Sequence, residues 1–154
     1  MYLNCHSFHS LRYGTIAIET LVKQARALHI TALALTDINT VTGIYDFTKA
    51  CLAEGIKPVA CMEFREENRL LYLTLAKKQS GIGEICRLLT DRNVEDIPLP
   101  EVAPVFQEVI TIYPLSNVPE QLKDNEYVGI RPEQISHLIR ERWKPYISRM
   151  VILS

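Results

Sequence analysis

Residues 31–64 read TALALTDINTVTGIYDFTKACLAEGIKPVACMEF, and this stretch decides the fold. Thr31 to Thr36 is a continuous apolar run of strand length, the pattern of a strand covered on both faces. From Thr42 to Glu54 the apolar residues Ile44, Phe47 and Cys51 recur three and four apart, which places them on one face of a helix. Gly55 then supplies a natural helix stop. Lys57 to Phe64 is a second apolar run. Strands that alternate with helices, and are themselves apolar throughout, predict a largely parallel sheet, either open or closed into a barrel.

The same rhythm continues outward. Met1 to Cys5 reads as a short strand, and after Gly14 a helix presents Ile18, Leu21, Val22, Ala25 and Leu28. Downstream, Glu66-Glu67-Asn68 is a turn and Leu70 to Ala76 a strand. Ser80 is expected to cap a helix carrying Ile82, Ile85, Cys86 and Leu89. Asn93 to Phe106, with three prolines, reads as a loop. Strands follow at Val109 to Tyr113 and Tyr127 to Ile130. Pro132 suits the first turn of a helix burying Ile135, Leu138 and Ile139, and Met150 to Leu153 is a last strand. A complete β/α barrel needs about 200 residues, so the apolar end implies that the chain holds an incomplete one.

Of the 154 residues, 47% are hydrophobic and 23% charged, with a formal net charge of −1. That is the profile of one soluble domain or part of one. It argues against a surface that binds DNA through phosphates alone, which would normally be basic. No run approaches the ~20 apolar residues of a membrane span, and the amino terminus lacks the regions of a signal peptide. A cytoplasmic location is expected. The four cysteines, Cys5, Cys51, Cys61 and Cys86, form no CxxC pair and read as buried thiols in a reducing compartment.

Three segments carry chemistry: Asn4-Cys5-His6-Ser7-Phe8-His9-Ser10-Leu11-Arg12-Tyr13-Gly14, Ala34-Leu35-Thr36-Asp37-Ile38-Asn39, and Gly55-Ile56-Lys57-Pro58-Val59-Ala60-Cys61-Met62-Glu63. Each ends or follows a predicted strand, where α/β sites are built. In this order they resemble the opening motifs of PHP (polymerase and histidinol phosphatase) domains in bacterial replicative polymerases, the DNA polymerase III alpha subunits. There the pattern reads HxHSxxSLxDG, ALALTDHxN, GIKPxxGxE, then a strand that begins with His and runs into LAK. The match includes Ser7, Ser10, Leu11, Gly14, Thr36-Asp37, Asn39, the GIKP run, Glu63 and Leu75-Ala76-Lys77, over roughly the first 90 residues.

The resemblance implies a PHP-type distorted β/α barrel, TIM-like and present here as its amino-terminal part. Residues 1–154 would be one PHP unit, with polymerase domains expected beyond residue 154. It also implies a cluster of divalent ions that activates water against a phosphoester. This sequence departs from the pattern at the ligands. Asn4 stands at the first His, Tyr13 at the Asp, Ile38 at the next His and Leu71 at the His opening the fourth strand; His6 and Glu63 remain as metal-ligand positions. An amide is a poor transition-metal ligand and an aliphatic chain is none, while catalytic zinc sites use three protein ligands.

The expectation is therefore a domain without catalytic residues or a cofactor of its own, holding at most residual zinc or manganese. Magnesium would serve the parent polymerase domain. Ile38 and Leu71 are expected to make the pocket drier and more apolar. The implied role is a scaffold for the remaining polymerase domains and a docking site for a proofreading exonuclease, with DNA engaged through the parent protein and no membrane contact. The competing reading is an active metal-dependent phosphoesterase, whether a 3′–5′ exonuclease, a pyrophosphatase or a phosphatase similar to histidinol phosphatase.

Plainer readings accompany these residues. His6 is expected to be a hydrogen-bonded strand-end histidine and His9 a solvent-facing loop residue, with a side-stepped ligand as its alternative. Asp37 is expected to cap the next helix or bond His6, with metal binding as its alternative, and Glu63, if buried, needs a partner. His29 and His137 read as boundary histidines. In Arg140 to Tyr146, Trp143 and Tyr146 are expected to fold onto the core rather than contact nucleic acid or a partner, and Glu95-Asp96 with Glu101 to form a solvated loop.

Overall fold

The computed structural model describes residues 3–153, without the side chains of His137 and Ile139. Six strands form one sheet in chain order: β1 (Ala32–Leu35), β2 (Lys57–Glu66), β3 (Arg69–Ala76), β4 (Val109–Pro114), β5 (Glu126–Ile130) and β6 (Met150–Ile152). Pairs β1/β2, β4/β5 and β5/β6 are parallel, while β3 runs antiparallel to both its neighbours. The reversal of β3 follows from connection length. Only Glu67 and Asn68 separate it from β2, which permits a hairpin and no crossover. Glu67 takes a left-handed φ of 52° to make that turn. The result is an α/β half-barrel, a curled sheet of the TIM-like kind left incomplete.

Helices α1 (Ile18–Ala27) and α2 (Ile44–Ala53) cover β1 and β2, burying Ile18, Val22, Ala25, Leu33, Leu35, Phe47, Cys51 and Ile56 as one cluster. Helix α3 (Gln79–Glu95) backs the middle of the sheet, where Met62, Phe64, Leu71, Tyr72, Ile85, Val109 and Tyr113 form a second cluster. The opposite face of the sheet carries Ala34, Cys61, Leu73, Leu75, Ile112 and Leu153. Both faces of the central strands are thus apolar, as their continuous hydrophobic runs require.

Several expectations are corrected. In the predicted strand Met1 to Cys5, Leu3 to Cys5 join no sheet, and Met1 and Tyr2 lie outside the described residues. Single bonds tie this segment to β1 instead, Thr36 N–H donating to the Cys5 carbonyl at 2.8 Å. Leu28 is 67% exposed, because α1 ends one residue earlier and the chain turns at His29. Helix α3 starts at Gln79, inside which Ser80 makes no cap, and it runs on through Asn93 to Glu95, shortening the expected loop. Pro132–Ile139 and Glu141–Arg149 wind as 3₁₀ helices, not α-helices. At three residues per turn a stripe drawn for 3.6 does not form, and Ile135 is left 52% exposed. Ile139, expected buried there, has its side chain outside the described residues.

Two glycines of α3 give opposite expectations. A Cβ on Gly83 would meet nothing within 4 Å, so Gly83→Ala should stabilise by about 0.8 kcal/mol through helix propensity. A Cβ on Gly81 would stand 2.2 Å from the Glu108 carbonyl oxygen, and Gly81→Ala should cost about 2 kcal/mol or more. Urea midpoints of the two variants check this; equal shifts would mean α3 does not lie against residue 108.

Candidate functional site

The loop after the amino-terminal segment is held by one carboxylate. Asp37, 2% exposed at the end of β1, accepts the Ser7 N–H at 2.7 Å, the Ser7 hydroxyl at 2.6 Å and the Ser10 hydroxyl at 2.6 Å. Ser10 Oγ in turn accepts the Ile38 N–H at 3.0 Å. Gly14 lies directly on the Ser7 carbonyl, where a Cβ would approach to 1.7 Å. Asp37 therefore neither caps α2 nor touches His6, correcting that expectation. Its bonds pull residues 7–14 down over the ends of β1 and β2.

This placement brings His6 to Glu63. Glu63 has no solvent exposure, and its Oε2 lies 3.1 Å from His6 Nε2. Its Oε1 accepts a hydrogen bond from Arg65 Nε, two residues along β2 and on the same face. Burial opposes ionisation of Glu63, but the hydrogen bonds and charges supplied by His6 and Arg65 outweigh it and hold the carboxyl below its ordinary value. Arg65 is itself fixed at its backbone. Asn39, with a left-handed φ of 49°, accepts the Arg65 N–H at 3.0 Å and donates to the Arg65 carbonyl at 2.7 Å.

Tyr13 covers the guanidinium, with Arg65 Cζ 4.8 Å from the ring centroid. The Tyr13 hydroxyl donates to Asn68 Oδ1 at 3.1 Å, and Arg65 Nη1 donates to the Asn68 carbonyl at 3.3 Å. Asn4 lends its Oδ1 to the Thr36 hydroxyl at 3.0 Å. Above these groups opens a cleft of about 590 Å³ lined by Asn4, His6, Tyr13, Arg65, Arg131, Pro132, Glu133 and Leu153.

The cleft is polar, against the expectation of a dry one. Neither Ile38 nor Leu71 lines it. Ile38 faces a neighbouring cleft with Phe8, His9 and Leu11. Leu71 packs on the helix side because the β2/β3 register slips between Phe64 and Arg65. Phe64 pairs with Tyr72 but Arg65 with Leu70, so Leu71 is the extra residue of a bulge, and Leu70 takes the inward side with Leu73 and Leu75. His9 is half-buried beside Phe8, their rings 4.3 Å apart, and stands apart from His6 and Glu63. His29 is an exposed boundary residue, and the His137 side chain lies outside the described residues. Among the described residues no three His, Cys, Asp or Glu side chains gather as a metal cluster.

Outside the cleft, Trp143 is buried and meets Tyr146 edge-on at 6.0 Å, as a core anchor would. The four thiols are unpaired; burial pushes Cys5 and Cys51 up to about 11 and raises Cys61 and Cys86, which disfavours their thiolate forms. No helix among the described residues is long and apolar enough to cross a membrane. Sequence reasoning missed Arg65. Its signal was available in the alternation of β2, which puts residue 65 on the Glu63 side.

The chain is 29% identical over 129 residues to the DNA polymerase III subunit alpha of Staphylococcus aureus strain Mu50, a match covering 80% of this chain and 12% of that protein. With the Halalkalibacterium halodurans subunit it is 33% identical over 94 residues, 58% of this chain and 8% of that one. The chain thus spans about an eighth or less of the curated relatives it matches. A Bifidobacterium adolescentis structure described as a metal-dependent phosphoesterase aligns with TM-score 0.47 and 26% identity, covering 58% of this chain and 32% of that one. The PHP domain family model matches residues 3–119, more than two thirds of the sequence. The chain belongs to the PHP domain family.

Proposed function

We propose that this PHP domain is a noncatalytic module at the amino-terminal end of a replicative DNA polymerase, a DNA polymerase III alpha subunit working in the cytoplasm. It would act as a scaffold for the polymerase domains beyond residue 154 and as a docking site for a separate proofreading exonuclease. Template-directed synthesis with magnesium, and contact with DNA, would belong to the rest of that subunit.

The observation that carries the noncatalytic reading is the state of Glu63. A carboxylate that serves a metal must present an oxygen to it, and here one oxygen is bonded to Arg65 and the other to His6. The donor set does not fit a divalent ion. His6 is spent on Glu63, Asp37 on two serines, and Asn4 offers its oxygen to Thr36. Ion binding there would bring a divalent charge against a guanidinium, at a cost that two weakly placed ligands do not offset.

The active phosphoesterase reading keeps one observation in its favour, the contact between His6 and Glu63, and a hydrolysis assay separates the two. The purified chain is incubated with a 3′-mismatched primer–template and with a chromogenic phosphodiester, each with magnesium, manganese or zinc. No release above the protein-free control is expected. Metal-dependent release that disappears in both His6→Ala and Glu63→Gln would overturn the proposal.

A further inference from the structure

We propose that the Arg65 guanidinium is the built-in cation of this site. It takes the place of a divalent ion and joins β2 to the loop of residues 4–14 through Glu63 and Tyr13. The inference rests on the noncatalytic reading and adds to it what holds the emptied ligand shell together.

Charge is the first argument. Glu63 is fully buried, and an uncompensated carboxylate in that position would be strongly destabilising. Arg65, with its side chain only 12% exposed, supplies a permanent positive charge in direct contact. Geometry is the second. The same guanidinium reaches the Asn68 carbonyl and lies under the Tyr13 ring, so it connects three segments, as a multidentate ion would. The third argument is the neighbour at residue 13: the Tyr13 ring lies 4.8 Å from Arg65 Cζ, and an aromatic face is attracted to a guanidinium that has lost its water. The fourth is fixation. Asn39 binds both backbone polar groups of Arg65, and the bulge shifts the ladder register there, so the side chain is aimed by the fold and not by its own flexible stem.

The test is thermal unfolding of the full chain, with and without chelator and with added manganese or zinc, for wild type, Arg65→Met, Arg65→Lys, Glu63→Gln and the double variant Glu63→Gln/Arg65→Met. Wild type should show the same Tm in all conditions. Arg65→Met should lose on the order of 10 °C, because it strands a buried anion. The double variant, with neither charge, should melt above Arg65→Met, and Arg65→Lys should fall between it and wild type, since an ammonium cannot bridge Glu63, Asn68 and Tyr13 together. Should Arg65→Met fail to fold, the Lys and double variants decide.

A wild-type Tm that falls on chelation or rises with metal would overturn the inference, since an ion would then share the site. So would losses that simply add in the double variant, or an Arg65→Lys chain no better than Arg65→Met. None of these melting results involves turnover, so the noncatalytic reading stands or falls separately, on the hydrolysis assay.

Discussion

Gly14→Ala is expected to destabilise the chain by about 4 kcal/mol or more, among the largest effects of any single methyl group here. The added Cβ would lie 1.7 Å from the Ser7 carbonyl oxygen, 2.5 Å from its carbon and 3.3 Å from the His6 carbonyl carbon. All three are backbone atoms, so no rotamer change relieves the contact. Nor can Ser7 retreat. Its N–H and hydroxyl are bonded to Asp37, and its carbonyl accepts the Ser10 N–H at 3.0 Å. Relief requires the loop to leave the sheet, which would uncover Glu63 and separate it from His6. Gly55→Ala provides the contrast. There φ is +68° with open space around the Cβ, so only about 1 kcal/mol of backbone strain is expected. Chemical denaturation of both variants, with unchanged denaturant slopes, measures the difference. A Gly14→Ala chain that unfolds at the wild-type midpoint would mean the loop is not seated on Ser7.

That result bears on what the site is for. Five residues at which this chain keeps the pattern it resembles, Ser7, Ser10, Gly14, Asp37 and Asn39, bond or pack the loop against β1 and β2. Of the four positions at which it departs, Asn4 and Tyr13 line the cleft above them, while Ile38 faces the neighbouring cleft and Leu71 the helix side. The proposed scaffold role requires that framework and makes no demand on the cleft lining above it. The energetics agree, because the altered residues form their own contacts: Asn4 with Thr36, Tyr13 with Asn68 and Arg65.

How much of this was legible in the sequence depends on the range of the interaction. Helix faces and strands follow from periods of 3.6 and 2, and α1, α2 and β1 to β6 stand within a few residues of where those periods put them. Glu63 and its need for a partner were legible, but His6 as that partner was not, since Asp37 was the candidate for His6. The identity of the second partner was not, because attention fell on ligand positions and Arg65 is not one, although strand alternation placed it correctly. The register slip at Leu71 was beyond reach for a different reason. A bulge is set by how two strands and a two-residue turn close together, and nothing local in Leu70-Leu71-Tyr72 records which leucine turns inward. The 3₁₀ winding after β5 was hidden in the same way, since Pro132 permits either helix.

Asp37 was expected to cap α2 or to bond His6 and does neither, and its removal is the second large effect expected. Asp37→Ala should cost about 3–5 kcal/mol, because it takes away one buried acceptor and leaves three donors facing a hole. For a chain of this size that corresponds to a fall in Tm of roughly 10 °C or more. Ser10→Ala should cost less, about 1–2 kcal/mol, since it removes one donor to Asp37 and the acceptor of the Ile38 N–H. The two changes share a network, so the double variant should lose clearly less than their sum. Chelator should leave every one of these melting temperatures unmoved, because the hub is made of hydroxyls and a backbone amide and not of an ion. Additive losses would mean that Asp37 and Ser10 act independently, and a chelator-sensitive wild type would turn Asp37 back into a ligand. With neither result, the carboxylate is the pin that keeps His6 in reach of Glu63, and the shape of the site is set one layer below its charges.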